Sequence, residues 1–270
     1  MIKQLARGLI PTSLRASIRK YYNRLLMCKG DCFPNHCSDP SVLKCHVAYN
    51  KYGGYCVPLS SLHRPASSRI LAGGVWEPDT IEFIVSHARV GDLIHAGTYF
   101  GDFLPALSRS RHEGAKVWAF EPNYESYRCA SLTLLINGSQ NVVLANAGLG
   151  ERCETLILET SASNGTAHGG TSHILTENNI NEASARNTQP VQVVTLDSAI
   201  PENRNVSLIH LDVEGFEIYA LNGARNIIRR CMPIIVLETM PSNNWLYENL
   251  LPLGYHTGPI LHGNTVLIPS

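Results

Sequence analysis

The chain has 270 residues, 22 Lys+Arg against 22 Asp+Glu, a formal charge of zero and 44% hydrophobic content. That length suits one α/β domain with appendages around a full core. The balanced charge gives no electrostatic footprint for nucleic acid, and no apolar run reaches the roughly 20 residues that a membrane span needs.

Residues 1–30 carry seven bases and no acid, with Leu14, Ile18, Leu25 and Leu26 spaced as one helical face. This predicts a basic amphipathic helix that packs on the domain, with peripheral contact to an anionic membrane as the alternative. The apolar run at the start is cut at Arg7 and Pro11, short of a secretory leader, so a cytoplasmic location is expected. Cys28, Cys32, Cys37 and Cys45 crowd beside His36 and His46. Their spacing lacks the paired C-x2-C geometry of a zinc ribbon, so reduced thiols are expected rather than a metal. Residues 31–58 read as an irregular lead-in, and the division falls between an extension, 1–75, and the main domain, 76–270.

A helix follows Trp76, with Asp79 or Thr80 as its cap. From Gly91 strands and helices alternate: strand 92–97, helix 101–110, strand 116–121, helix 123–136 and strand 141–147. A strand at 154–159 and a polar stretch at 160–189 follow. Then come strand 191–196, strand 206–212, helix 216–229, strand 233–239, helix 242–252 and two closing strands near 254–256 and 265–268. The near-continuous apolar runs at 206–211 and 234–237 read as buried parallel strands, and the alternation as a doubly wound sheet.

The chemistry starts at His95-Ala96-Gly97-Thr98-Tyr99-Phe100-Gly101-Asp102. A strand runs into two glycines four apart and then a helix, and a second strand ends at Glu121. Glycines admit a ligand close to the backbone, a helix N-terminus favours its anionic end, and a carboxylate accepts two hydrogen bonds from a ribose diol. A nicotinamide-dependent oxidoreductase needs a third glycine near the helix start, where Leu104 and Pro105 stand instead.

Three blocks in order carry a resemblance: Gly97-Thr98-Tyr99-Phe100-Gly101-Asp102-Phe103, Ala119-Phe120-Glu121-Pro122-Asn123, and Leu211-Asp212-Val213-Glu214-Gly215-Phe216-Glu217 with Leu221-Asn222-Gly223-Ala224. On these the chain resembles the FkbM family of S-adenosylmethionine (SAM)-dependent methyltransferases, from about Gly91 to Glu238. The resemblance implies a doubly wound, mostly parallel seven-stranded Rossmann-like sheet with a C-terminal antiparallel hairpin. It also implies SAM as cofactor and a small hydroxylated acceptor: a sugar of a glycan, a glycolipid or an oligosaccharide signal (the fucose of a nodulation signal among them), or a polyketide. The cofactor residues so implied are His95, Gly97, Thr98, Tyr99, Gly101, Asp102, Glu121, Asn123 and, by position at the third strand's tip, Ala147. Two departures stand out. The family's acid at the first strand tip is His95, which either donates to the methionyl carboxylate or packs at the strand end. The family's Ala-Asn pair is Thr98-Tyr99.

An alcohol acceptor must lose a proton near the transition state. Asp212 ends the fourth strand, where such sheets place active groups. With Glu214 it is the expected base, ahead of His173 in the loop holding His168-Gly169-Gly170. Glu217 and Glu238 add carboxylates; Mg²⁺ shared among them is the alternative to the expected metal-free chemistry. His210, mid-strand, reads as buried and hydrogen-bonded. The rival outside catalysis is a methyltransferase-fold module that binds a glycan or partner without turnover.

Overall fold

The computed structural model describes residues 42–88, 90–175 and 187–270. The basic segment 1–30 and Cys28, Cys32 and Cys37 lie outside the described residues. The strands are β1 (Cys45–Asn50), β2 (Gly53–Pro58), β3 (Asp92–Ala96), β4 (Val117–Phe120), β5 (Val142–Ala145), β6 (Gly148–Leu149), β7 (Glu154–Glu159), β8 (His173–Ile174), β9 (Thr188–Val194), β10 (Val206–Leu211), β11 (Ile234–Leu237), β12 (Tyr255–Leu261) and β13 (Asn264–Pro269). The helices are α1 (Pro65–Leu71), α2 (Pro78–His87), α3 (Leu104–Arg109), α4 (Tyr124–Asn137), α5 (Leu196–Ala199), α6 (Glu217–Asn222), α7 (Arg225–Cys231) and α8 (Asn243–Asn249).

Seven strands form the main sheet in the order β12-β13-β11-β10-β3-β4-β5. β3, β4, β5, β10 and β11 run parallel, and the β12–β13 hairpin closes the edge antiparallel to β11. Successive residues of the central strands enter opposite cores. Leu93, Val117, Leu208 and Val236 pack with residues of α2 and α3. Ile94, Ile209, Leu211 and Ile235 pack with residues of α6 and α7. Burial on both faces is why these strands read as unbroken apolar runs. The chain leaves β3 for β4 on one side and meets β10 on the other, so a crevice opens beyond the carboxyl ends of these three strands.

Several elements differ from the sequence expectation for identifiable reasons. Helix 216–229 is two helices, because Gly223 lies so close to Gly150 that a Cβ would stand 2.0 Å from its carbonyl oxygen. Asp197 then receives the amides of Asn226 and Ile227 at 3.0 and 2.9 Å, restarting the helix as α7. The N-cap position of α2 is Glu77, at φ 44° and without a capping side-chain hydrogen bond, rather than Asp79 or Thr80, since Pro78 takes the first helical position. The polar stretch contributes to a second sheet of four strands, β6-β9-β7-β8. Residues 45–58, expected to be irregular, form a hairpin docked on α4. There the Cys56 amide donates to Thr133 Oγ1 at 3.0 Å and Asn137 bonds both polar groups of the Gly54 backbone. Tyr55, Cys56 and Ile70 share one apolar cluster with Tyr99, Phe100 and Cys129. Among the described residues no helix is long and apolar enough to cross a membrane.

Candidate active site

The loop after β3 is pressed against the tip of β10. Gly97 sits at φ 78°, and a Cβ there would lie 1.5 Å from the carbonyl oxygen of Asp212, so the close approach demands glycine. Tyr99, at φ 50°, turns its amide toward β4 and donates to Glu121 Oε2 at 2.6 Å. The Asn123 amide donates to Glu121 Oε1 at 2.8 Å. Burial pushes the Glu121 carboxyl up to about 8, and these two amides pull the other way. A carboxylate has about four acceptor positions, and the two amides use two. Glu121 also lines the crevice, so it retains capacity for a ribose diol.

The crevice is narrow, with a cavity of about 30 Å³ behind its open mouth. Gly97, Glu121, Ala147, Asp212 and Glu214 meet in it, drawn from four separate strand ends. Facing them are Leu149, Leu158, Ile174, Phe216 and the backbone of Gly169 and Gly170. An apolar slot thus lies beside a buried carboxyl and a glycine-edged loop. Of the facing wall, the strand at 154–159, which is β7, and the loop of Gly169 and Gly170 could be read in the sequence, but not their place across the crevice.

At the mouth, one oxygen each from Asp212, Glu214 and Glu238 lies within 4.8 Å of the others. Burial first, then the neighbouring Glu238, hold the Asp212 carboxyl well above the usual range. Glu214, at φ 54°, is pushed up to about 7 by burial and by Glu238, against the pull of Arg64. Glu217 turns inward as the first residue of α6 and accepts the Val213 amide at 3.2 Å.

The remaining residues singled out in the sequence stand outside the crevice lining. His95 points into the core, its Nδ1 2.9 Å from Nδ1 of His210 and its ring stacked on Phe103 at 5.3 Å. Burial, and for His95 the neighbouring His210, lower both imidazoles, so they stand neutral. Strand register explains the placement, since His95 shares its face with Leu93 and not with the Ala96 that lines the crevice. Thr98 is buried and donates to the His95 carbonyl at 3.3 Å. Gly101, at φ 83°, packs behind the loop against Ala130 and Thr133. Asp102 is buried and pushed up to about 7 by desolvation and Glu77. Asn123 caps α4, its Oδ1 accepting from the Glu125 and Ser126 amides, while its Nδ2 donates to Ser172 at 3.0 Å. Tyr99 sends its hydroxyl to Ser61 and Ser67 and lays its ring against Gly169 and Gly170. That packing accounts for the tyrosine where the family carries a small pair. His173 faces Glu159 at 3.4 Å on the outer hairpin.

A doubly wound sheet closed by an antiparallel hairpin, with this glycine-edged crevice at its switch point, is a Rossmann-like fold of the methyltransferase type. Residues 95–253 match the model of the methyltransferase FkbM domain. The chain therefore belongs to the FkbM methyltransferase family. Among solved structures it is similar to an FkbM methyltransferase from Methylobacillus flagellatus KT, at 18% identity and TM-score 0.42, covering 66% of this chain and 43% of that one. The chain thus spans under half of that relative's length. It is also similar to a SAM-dependent methyltransferase from Aquifex aeolicus, at 14% identity and TM-score 0.39, covering 77% and 93%. A third likeness is the Pyrococcus abyssi tRNA (uracil-54, C5)-methyltransferase in complex with S-adenosyl-L-homocysteine, at 10% identity and TM-score 0.42, covering 86% and 48%. No curated protein matches the chain. The class of activity rests on the family and the crevice, not on these structural likenesses.

Proposed function

We propose that the chain methylates a hydroxyl of a small acceptor, a sugar hydroxyl first, with SAM as methyl donor. The observation that carries this reading is the convergence of Asp212, Glu214 and Glu238 at the mouth of a crevice that Glu121 and Gly97 line. Glu121 would hold the ribose, the Gly97 loop would admit the methionyl end, and the slot between Leu149, Leu158 and Ile174 would take the adenine. When bound, SAM supplies an electrophilic methyl group. Glu214 then accepts the proton that the acceptor hydroxyl releases. A carboxyl at about 7 matches that task, because it is substantially ionised at neutral pH and still basic enough to take a proton. Asp212 and Glu238 offer several carboxyl oxygens to neighbouring hydroxyls, which suits a polyol. We keep the metal-free reading first, with Mg²⁺ held by Asp212, Glu214 and Glu238 as its alternative.

Calorimetry with SAM and with S-adenosylhomocysteine, followed by incubation with methyl-labelled SAM and a panel of sugars, tests the reading. Binding of both and label recovered in a methyl ether is the expected result. Binding of neither favours the non-catalytic module, and label on nitrogen or carbon removes the hydroxyl acceptor.

A further inference from the structure

The hairpin that forms the outer lip of the crevice brings three side chains to one point. Glu159 ends β7, His173 begins β8, and the antiparallel register sets them directly opposite each other. His168 opens the turn between the strands, its amide fixed to the Thr160 carbonyl at 2.8 Å. Both imidazoles aim Nε2 at the same carboxylate oxygen: Glu159 Oε2 lies 3.7 Å from His168 and 3.4 Å from His173. One ligand atom from each of the three lies within 4.8 Å of the others. His168 Nε2 is buried without a hydrogen-bond partner. The side chains are 22–34% exposed, enough for an ion to enter and little enough to hold it.

We propose that Glu159, His168 and His173 bind a divalent transition-metal ion of the zinc type. Two imidazoles and one carboxylate form a borderline donor set, which selects Zn²⁺ and its first-row neighbours over Mg²⁺ or Ca²⁺. Tetrahedral bonds of about 2.0–2.1 Å set neighbouring ligand atoms about 3.4 Å apart, so the two distances to Glu159 need to change by only a few tenths of an ångström. Three protein ligands leave a fourth position for water. The opposing cation is Arg64, which donates to Thr171 Oγ1 at 2.6 Å, and the Glu159 charge offsets it. The ion fastens β7 to the His168–Ser172 turn, and that turn carries Gly169, Gly170 and Ser172 into the crevice lining. Ion binding is thus a property of the hairpin itself and stands apart from the identity of the cofactor or acceptor.

The full chain, stripped with a chelator, is titrated with Zn²⁺ and with Co²⁺ as a spectroscopic substitute. The expected result is one equivalent bound with visible cobalt bands that lack thiolate charge transfer. Affinity should fall about 100-fold or more in Glu159→Gln and His173→Ala, as befits loss of a direct ligand. His256→Ala, an exposed histidine on β12, should bind as the unaltered chain does. X-ray absorption of the zinc-loaded unaltered chain should show nitrogen and oxygen neighbours, a readout that does not depend on the variants folding. No binding, equal binding in all variants, or sulfur neighbours placing the ion on the cysteines would each overturn the proposal. SAM binding measured on the same samples separates the two readings: ion without SAM removes the cofactor assignment alone, and SAM without ion removes the metal site alone.

Discussion

The two walls of the crevice are made in different ways. The inner wall is the carboxyl edge of β3, β4 and β10, where Gly97, Glu121 and Asp212 stand at the ends of strands buried on both faces. Its shape comes from backbone touching backbone, as at Gly97 against Asp212, and from a buried carboxylate tied to two amides. The outer wall is a short hairpin and turn, backbone-paired to β9 within its own sheet but joined to the rest of the site by side chains: Arg64 on Thr171, Asn123 on Ser172, and the Tyr99 ring on two glycines. Backbone contacts between core strands have no slack, whereas side-chain clasps can re-form at small cost. The inner wall therefore suits the invariable part of the reaction, and the outer wall the part that adapts to an acceptor.

Four substitutions grade this contrast. Gly97→Ala should break the inner wall outright: the new Cβ overlaps a carbonyl that cannot move, at a cost of at least about 3 kcal/mol. Calorimetry should find SAM binding abolished, with the melting temperature lowered by about 6–12 °C; a normal melt with intact binding would dissolve the contrast. Glu214→Gln should lower kcat by about 10²–10⁴-fold with SAM affinity within about threefold. In the unaltered enzyme kcat/KM should rise with pH and level off above about 7, because burial and Glu238 raise the base and only its ionised form accepts a proton. The variant should lose that rise; an unchanged profile assigns the proton to another group. Measured above pH 8, where the raised Glu121 carboxyl is ionised, Glu121→Gln should weaken SAM about 10–100-fold, or about 1.5–3 kcal/mol, the usual worth of charged hydrogen bonds; titration calorimetry reads it directly, and unchanged affinity would exclude Glu121 from the ribose. Gly170→Ala, on the outer wall, meets the Tyr99 ring at 3.2 Å and should cost no more than about 0.5 kcal/mol in SAM affinity. A loss as large as that of Gly97→Ala would show both walls equally rigid.

Much of the inner wall could be read from the chain because its signals are local. Unbroken apolar runs end in a glycine, a glutamate or an aspartate, and parallel strand order then carries those ends to one edge. Helix 216–229 hid its break because Gly223 answers to Gly150, a neighbour only in three dimensions. His95 looked like a strand-tip ligand until the register placed it beside His210 and Phe103, on the face away from the crevice. Asn123 could be placed next to the cofactor carboxylate but not assigned its duty as a cap, which depends on where α4 starts. In the outer wall β7 and the Gly169–Gly170 loop could be read but β6 and β8 could not, since these are two residues each and owe their pairing to β9 and β7.

The clasp between Tyr99 and the hydroxyls of Ser61 and Ser67 has a practical consequence for protein engineering. Those serines precede the family-matched region at residues 95–253, yet they fix the tyrosine that supports the Gly169–Gly170 turn. A chimera that transplants the matched region alone into a relative would inherit an unsupported lip. Carrying residues 45–71 along with the graft keeps the donor's own brace beneath it.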